Sequence, residues 1–249
     1  MRKVPQLTAY FWIVKVLTTA MGEATSDFLV NTIPRVLAVA LGGAALALAL
    51  VLQFWVRRYV AWVYWLAVAM VAVFGTVAAD VLHIEFGVPY VVSTPLFAVV
   101  LAVVFVTWQA SEKTLSIHSI TTPRREAFYW ATVMATFALG TAAGDMTATT
   151  FHLGYFWSGV MYAGLIAVPA LAYWLLGLNE ILAFWFAYVV TRPLGASFAD
   201  WMDKPRSLHG LGWGNGPVAL GFTIVIVGFV GYLAVSRKDA SDEDAVRRP

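Results

Sequence analysis

The stretch YWLAVAMVAVFGTVAAD, residues 64–80, decides the fold because its pattern occurs four times along the chain. In each copy, nine residues separate a tryptophan from a glycine and four more separate that glycine from an aspartate. An aromatic residue precedes each tryptophan, and only 11 of the 249 residues are tryptophan, so the recurrence is an internal repeat rather than chance. The four sets are Trp12, Gly22 and Asp27; Trp65, Gly75 and Asp80; Trp130, Gly140 and Asp145; and Trp185, Gly195 and Asp200.

The composition around the repeat is that of an integral membrane protein. Hydrophobic residues make up 61% of the chain and charged residues only 12%, whereas soluble domains carry about 25% charged residues. The mean hydropathy is +0.77, and a bilayer-spanning helix needs roughly 20 apolar residues. Hydropathy and helix breakers predict eight spans, at residues 8–28, 34–56, 60–83, 92–110, 127–149, 155–177, 180–201 and 215–236.

We therefore predict an all-α integral membrane protein with a single transmembrane domain, residues 1–236. The charged residues that follow, 237–249, include no aromatic side chain and are expected to form a disordered cytoplasmic tail. The domain is expected to contain four tandem two-helix repeats, at approximately 8–56, 60–110, 127–177 and 180–236.

The distribution of positive charge predicts the orientation in the membrane. Eleven lysines and arginines fall in the segments on one side of the predicted spans and three on the other, which places both termini in the cytoplasm of a bacterial cell, with the protein in the inner membrane. A cleaved signal ending near Ala20 is rejected, because Lys15 interrupts its apolar run and the segment carries the first repeat.

Two spans per repeat give every copy the same orientation, so the four motif helices are expected to run parallel. Such an arrangement implies pseudo-symmetry about the membrane normal. Each tryptophan lies fifteen residues before its aspartate, about 22 Å along a helix. We expect the tryptophans to be interface anchors and the aspartates to lie near the outer ends. The glycines begin small-xxx-small pairs that favour close helix packing, namely Gly22 with Ser26, Gly75 with Ala79, Gly140 with Gly144, and Gly195 with Ala199.

Four tandem two-helix units that share a tryptophan resemble the bacterial family of membrane-anchored repeat proteins of unknown function. The resemblance covers nearly the whole chain. It implies the fold and the topology, and it implies no catalytic residues, so the function has to be argued from the side chains.

Polar residues on the face of each aspartate are the candidate site. Four-residue steps back from the aspartates pass Glu23, Thr76 and Thr141, and charges inside the membrane usually mark a pathway or a paired site. Lys15 and Arg192 are expected to balance the charges of Glu23 and Asp200. If the helices converge, the aspartates and Glu23 form a cluster that holds protons, pairs with cations or binds a metal ion through hard oxygen ligands.

Other interpretations remain open for these residues. An aspartate where a helix leaves the lipid often only caps a turn or faces water. His83 and His152 follow Asp80 and Asp145 at unequal offsets, so they are weak candidates for metal ligands. No cofactor is predicted, although a bound cation is compatible with the cluster.

The leading hypothesis is a small inner-membrane transporter or channel-like permease for a cation or a proton-coupled substrate. Its expected partners are the lipid bilayer and a small ion or solute. The alternative is a non-transporting membrane scaffold or sensor. Nucleic acid is excluded because the formal charge is only +2 and no basic face is interleaved with aromatic residues. An enzyme is not expected, because the chain has no cysteine and no convincing nucleophile and base pair.

Overall fold

The computed structural model describes residues 2–239, which form eight long α-helices joined by short connections. All eight predicted helices are present, with ends displaced by at most four residues. A π turn, Met146–Thr150, extends α5, and two short 3₁₀ turns lie in connections, Ile117–Ser119 and Arg206–Leu208. The helices are α1 (Ala9–Thr32), α2 (Arg35–Trp55), α3 (Ala61–Ile84), α4 (Tyr90–Glu112), α5 (Pro123–Asp145), α6 (Gly154–Leu176), α7 (Glu180–Asp203) and α8 (Asn215–Ser236).

The start of α5 shows why one boundary was predicted four residues late. Thr122 is the N-cap, its hydroxyl accepting a hydrogen bond from the backbone N–H of Arg125, and Pro123 occupies the first turn, where its missing N–H costs nothing. Hydropathy alone misses this turn because it contains Arg124, Arg125 and Glu126. The capping chemistry, rather than the apolar run, sets the boundary.

Six of the helices in the described range, α2, α3, α4, α6, α7 and α8, are long and apolar enough to cross a membrane. The helices α1 and α5 fall outside that set because charged residues, threonines and small residues lower their hydropathy. Both are interior helices, and most polar side chains in the middle of each, such as Lys15 and Glu23 of α1 and Thr132 and Thr141 of α5, are buried.

The four helices that carry the repeat motif form a closed inner ring. In this ring α1 packs against α3, α3 against α5, α5 against α7, and α7 against α1. Each inner helix is covered by one outer helix: α2 covers α3, α4 covers α5, α6 covers α7, and α8 covers α1. The first and last helices of the chain are therefore neighbours. The outer helices bury little of their surface. In the most apolar stretch of α4 only 17% is buried, whereas the corresponding value for the inner helix α3 is 61%.

One layer of the ring consists of the aromatic pairs of the motif. The aromatic residue before each tryptophan contacts the tryptophan of the next inner helix, and the last contact closes on the first. These pairs add about 0.5–1.5 kcal/mol each beyond the area they bury. The ring-centroid distances are 5.7 Å for Phe11–Trp65, 5.7 Å for Tyr64–Trp130, 6.2 Å for Tyr129–Trp185 and 5.8 Å for Phe184–Trp12.

The tryptophans were expected to be interface anchors, but their rings point toward neighbouring helices. Trp65, Trp130 and Trp185 are buried, and Trp12 is half-buried. They pack between helices because each has an aromatic partner on the neighbouring helix. Their contribution is to helix packing in the interior.

A second layer consists of the motif glycines. Each glycine faces the residue three positions before the glycine of the next inner helix, and again the fourth contact closes on the first. A side chain at any of these positions would meet its neighbour closely, so the glycines set the distance between helices. The contacts are Gly22 with Ala72, Gly75 with Phe137, Gly140 with Arg192, and Gly195 with Thr19.

The tryptophan end of the ring is closed by the chain before α1. Lys3 is buried, and its Nζ donates hydrogen bonds to Glu126 Oε2 (2.6 Å) and to the carbonyl oxygen of Phe54 (3.1 Å). Gln53 Nε2 donates to the other carboxylate oxygen of Glu126 at 2.9 Å. The hydroxyl of Tyr59 donates to the buried carboxylate of Asp239.

Part of the tail that was predicted to be disordered, residues 237–249, is described by the structure. The structure places Asp239 against the tryptophan end of the ring, because its backbone carbonyl oxygen also accepts a hydrogen bond from the backbone N–H of Gln6. Burial raises the pKa of the Asp239 carboxyl. The rest of that prediction, residues 240–249, lies outside the described residues.

We expect Gly195→Ala to lower the free energy of unfolding by about 1–3 kcal/mol, because the added methyl group would overlap Thr19. The matched control is Gly164→Ala, since nothing lies within 4 Å of that position on α6 and alanine is the better helix former. Chemical unfolding in mixed micelles measures both. Equal stability of the two variants would contradict the close contact at Gly195.

Candidate functional site

The centre of the ring is occupied by the side chain of Arg192, which has no exposed surface. The two hydrogens of its Nη2 are shared among three acceptors, Glu23 Oε2 (2.5 Å), Thr76 Oγ1 (2.5 Å) and Thr141 Oγ1 (2.7 Å). The three acceptors each follow the motif glycine of a different repeat. One arginine from the fourth repeat therefore joins the other three repeats at a single point.

Local sequence explains why this arginine fits. Arg192 faces Gly140 of α5, and the missing side chain there leaves room for the arginine stem. Thr76 and Thr141 donate their own hydroxyl hydrogens to the carbonyl oxygens of Ala72 (2.9 Å) and Phe137 (3.0 Å). Their oxygens are thereby directed to accept from the guanidinium.

The guanidinium is held along one edge only. Among the described residues, Arg192 Nε and Nη1 have no hydrogen-bond partner although both are buried. The Phe137 ring lies beside the group, with its centroid 5.5 Å from Arg192 Cζ. An arginine in a bidentate pair would use both nitrogens, so this one is bound less completely than its burial would suggest.

Carboxyl groups from the inner helices converge beyond Arg192. Carboxylate oxygens of Glu23, Asp145 and Asp200 lie within 4.8 Å of one another, and so do those of Asp27, Asp200 and Asp203. The hydroxyl of Ser26, next to Asp27, donates to Asp80 Oδ2 at 3.0 Å. Asp27, Asp145 and Asp200 therefore meet at one end of the ring, and Asp80 lies at the same end, bound to the residue before Asp27. We call these six residues, Glu23, Asp27, Asp80, Asp145, Asp200 and Asp203, the acidic cluster.

Lys204 and Asn215 cover the acidic cluster from the connection after α7 and the start of α8. Lys204 Nζ contacts the carboxylate of Asp27 and lies 3.4 Å from Asp200 Oδ1. Asn215 Nδ2 donates to Asp27 Oδ2 (3.1 Å) and Asp203 Oδ2 (2.9 Å). Burial works to lower the pKa of Lys204, but the carboxylates of Asp200 and Asp27 outweigh it and raise that pKa, so Lys204 stays charged.

The charges of this site do not balance. Six carboxyl groups face two cations, Arg192 and Lys204. In addition, Asp200 Oδ1 and Asp203 Oδ1 are buried and accept no well-aligned hydrogen bond from residues 2–239. Such a cluster is stable when some carboxyl groups keep protons or when a cation is bound. The geometry can therefore hold a cation on oxygen ligands.

Lys15 was expected to balance the charges of Glu23 and Asp200 together with Arg192. The structure pairs Arg192 with Glu23, while Lys15 contacts neither carboxylate. Its fully buried Nζ lies 4.4 Å from the centroid of Phe137 and 4.3 Å from that of Tyr188. Lys15 is thus enclosed by aromatic faces.

The two histidines considered as weak metal candidates lie away from the carboxylate triads. His83 uses both ring nitrogens, Nδ1 with the carbonyl oxygen of Val88 (2.6 Å) and Nε2 with Ser93 Oγ (3.2 Å). His152 has a φ of 57° in the turn before α6 and lines a cavity of about 480 Å³ with Trp201 and His209. Within the described chain, neither histidine belongs to a group of three possible ligands.

Sequence reasoning missed Lys204, Asp203 and Asn215. Lys204 follows Asp200 by four residues, the spacing of an ion pair on one helical face, so its role was detectable. Asp203 was overlooked because the predicted helix ended at residue 201. Asn215 carries no local signal, since only the packing of α8 against α1 brings it to Asp27.

Comparison with known families gives a match over most of the chain. Residues 10–59, 63–114, 128–177 and 183–239 each match a family model described as "Repeat of Unknown Function (DUF347)". These segments coincide closely with the four repeats found from the tryptophan, glycine and aspartate spacing. Comparison with curated proteins and with solved structures finds no match.

We expect Glu23→Gln to reduce the free energy of unfolding by about 3–5 kcal/mol, because it leaves the buried Arg192 without its counter-ion. The matched control is Glu85→Gln, which breaks the exposed pair with Arg35 (2.7 Å) and should change stability by less than about 1 kcal/mol. Chemical unfolding in mixed micelles compares the two.

A double variant, Glu23→Gln with Arg192→Met, removes both charges of the buried pair. We expect it to be more stable than the sum of the single changes predicts, as for residues in direct contact. Strict additivity in this double-mutant cycle would show that the two side chains do not interact.

Proposed function

Because the chain belongs to the family of the Repeat of Unknown Function (DUF347), a description that states no activity, we propose a function from the site alone. The protein is a small transporter or channel-like permease for a cation or a proton-coupled substrate. The observation that carries this proposal is the convergence of carboxyl groups from all four repeats on one end of the ring, in excess of the cations that face them.

The membrane arrangement in this proposal has eight spans, with the four inner helices parallel and related by pseudo-symmetry about the membrane normal. Its support is that equivalent residues of successive repeats make equivalent contacts in both the aromatic and the glycine layer. The two less apolar helices, α1 and α5, are shielded by α8 and α4.

The proposed location is a bacterial inner membrane with both termini in the cytoplasm. The support is the excess of lysine and arginine on the side of the termini. In this orientation the acidic cluster lies toward the outer face and the aromatic layer toward the cytoplasm. A cation from outside would then reach the carboxyl groups before it meets Arg192.

A cation is favoured as the substrate by the ligand chemistry. Carboxylates and hydroxyl groups are the oxygen donors that hard cations prefer, and the site combines six carboxyl groups with the hydroxyls of Thr76 and Thr141. Arg192 and Lys204 hold some of these oxygens already. A cation that binds between them therefore competes with two tethered side chains.

Passage beyond the cluster requires a rearrangement. The interior of the ring between the carboxyl groups and the aromatic layer is filled by the side chains of Arg192, Phe137 and Lys15. The geometry therefore corresponds to a state closed toward the cytoplasm. The one-edged binding of Arg192 suits a group that must leave Glu23 during transport.

The filled axis also favours a second candidate, a membrane sensor that binds a cation at its outer end without moving it. Its ligands would be the same, so only flux separates it from a transporter. Saturable cation binding without flux, together with a stoichiometric cytoplasmic partner, would support the sensor.

Reconstitution in proteoliposomes tests the proposal. Uptake of Mn²⁺, Mg²⁺, Na⁺ and K⁺ is measured with and without a proton gradient, and Mn²⁺ binding is followed by loss of the free-ion electron paramagnetic resonance signal. We expect at least one cation to be taken up, and we expect Asp200→Asn and Asp27→Asn each to lower the flux at least tenfold, because they remove oxygen ligands from the cluster.

The control for these variants is Glu85→Gln, an exposed acidic side chain outside the cluster, which should retain wild-type flux. Size-exclusion profiles show whether each variant is folded. Unchanged flux in well-folded Asp27→Asn and Asp200→Asn proteins would remove the acidic cluster from the mechanism.

A further inference from the structure

Lys15 is a fully buried lysine that the acidic cluster does not use. Its Nζ is enclosed by Phe137 and Tyr188 and, within the described residues, donates no hydrogen bond. The hydroxyl of Tyr188 is also buried and unpartnered in that part of the chain. Two polar groups are thus left unsatisfied at the same point on the axis, which is unusual because buried polar groups are nearly always hydrogen-bonded.

A proton on Lys15 places a second positive charge next to Arg192. Both side chains lie against the Phe137 ring, and arginine remains charged at all physiological pH values. Glu23 compensates Arg192 along its Nη2 edge, whereas no carboxylate contacts Lys15 in the described structure. The proton affinity of Lys15 therefore depends on the net positive charge at Arg192 and the carboxyl groups beyond it.

The acidic cluster is close enough to influence that charge. Lys15 and Glu23 are eight residues apart on α1, about 12 Å along the helix. At this distance, with an effective dielectric constant near 20, one unit charge changes the affinity for another by about tenfold, and a divalent cation changes it by about a hundredfold.

Titratable groups occur on each helix packed around α1 and on the helices across the ring. In the aromatic layer the hydroxyls of Tyr64 and Tyr129 are 2.5 Å apart. Arg35 of α2 pairs with Glu85, and Glu126 of α5 with Lys3. By helix, the groups are Glu23 and Asp27 on α1; Arg35 on α2; Tyr64, Asp80 and His83 on α3; Glu126, Tyr129 and Asp145 on α5; Glu180, Tyr188, Arg192, Asp200 and Asp203 on α7; and Tyr232 on α8.

We propose that Lys15 is the proton-binding site of a cation–proton exchange, and that its proton leaves when a cation enters the acidic cluster. This proposal rests on the proposed function and assigns its coupling ion. The N–H bond of the ammonium breaks, the electron pair stays on Nζ, and a water molecule accepts the proton. By linkage, protonation of Lys15 weakens cation binding by the same factor.

Mn²⁺ binding across a pH series tests this assignment with two variants of matched length. Lys15→Met removes the charge permanently, and Lys15→Arg fixes it. We expect Lys15→Arg to bind Mn²⁺ about a hundredfold more weakly than Lys15→Met. The wild type should follow Lys15→Arg at low pH and Lys15→Met at high pH, and midway between the two titration midpoints of Lys15 it should release about 0.8 more proton per Mn²⁺ than either variant.

The outcomes separate this proposal from the function on which it rests. Wild-type pH dependence in both folded Lys15 variants, with Mn²⁺ binding lost in Asp200→Asn, would leave the cation site standing and overturn the role of Lys15. Failure of the wild type to bind Mn²⁺ would overturn the metal site and the exchange together.

A direct measurement of the lysine gives an independent readout. In protein labelled with ¹⁵N-lysine, the Nζ resonance that disappears in Lys15→Met is followed from pH 5 to pH 10. We expect its titration midpoint to fall when diamagnetic Mg²⁺ is added at a concentration that displaces Mn²⁺ from the cluster. A Lys15 signal that stays charged throughout, or a midpoint that the bound Mg²⁺ does not move, would contradict the proposal.

Discussion

The contact of the Arg192 guanidinium with Glu23, Thr76 and Thr141 is the interaction on which the rest of the interior depends. It places a buried charge where all four inner helices meet, and such a charge is tolerated only with a counter-ion and hydrogen-bond acceptors. The glycine layer makes this possible, because Gly140 leaves room for the arginine stem. Close helix packing and ion pairing are thus parts of one arrangement.

One position of the repeat carries a different residue with a different contact in each copy. Three residues before each motif glycine stand Thr19, Ala72, Phe137 and Arg192. Thr19 bonds to the backbone of α7, Ala72 packs against Gly22, Phe137 presents its ring to two cations, and Arg192 crosses the axis. Repetition supplies the ring, and substitutions at equivalent positions supply the chemistry, so the site is asymmetric although its frame is repeated.

Much of the fold was predictable from the sequence, because the eight helices follow from hydropathy and the repeat from spacing. The packing order of the helices was not, since the pairing of α8 with α1 depends on closure of the ring rather than on any local pattern. Five of the six carboxyl residues of the acidic cluster were predicted, the four repeat aspartates from their spacing and Glu23 from its position four residues before Asp27. The partner of each charge was not, because whether Lys15 or Arg192 reaches Glu23 is decided by side-chain geometry across three helices.

The closure of the ring by α8 and α7 on α1 has a consequence for biosynthesis. Of the eight described helices the ribosome makes α1 first, so Lys15 and Glu23 exist long before the side chains that surround them in the ring. Arg192 follows Glu23 by 169 residues, and α8 is the last of the eight described helices to be made. Until then α1 has neither the arginine that pairs with Glu23 nor its outer cover. In the proposed eight-span arrangement, assembly therefore includes a period in which the buried charges of α1 have no partner from the later helices.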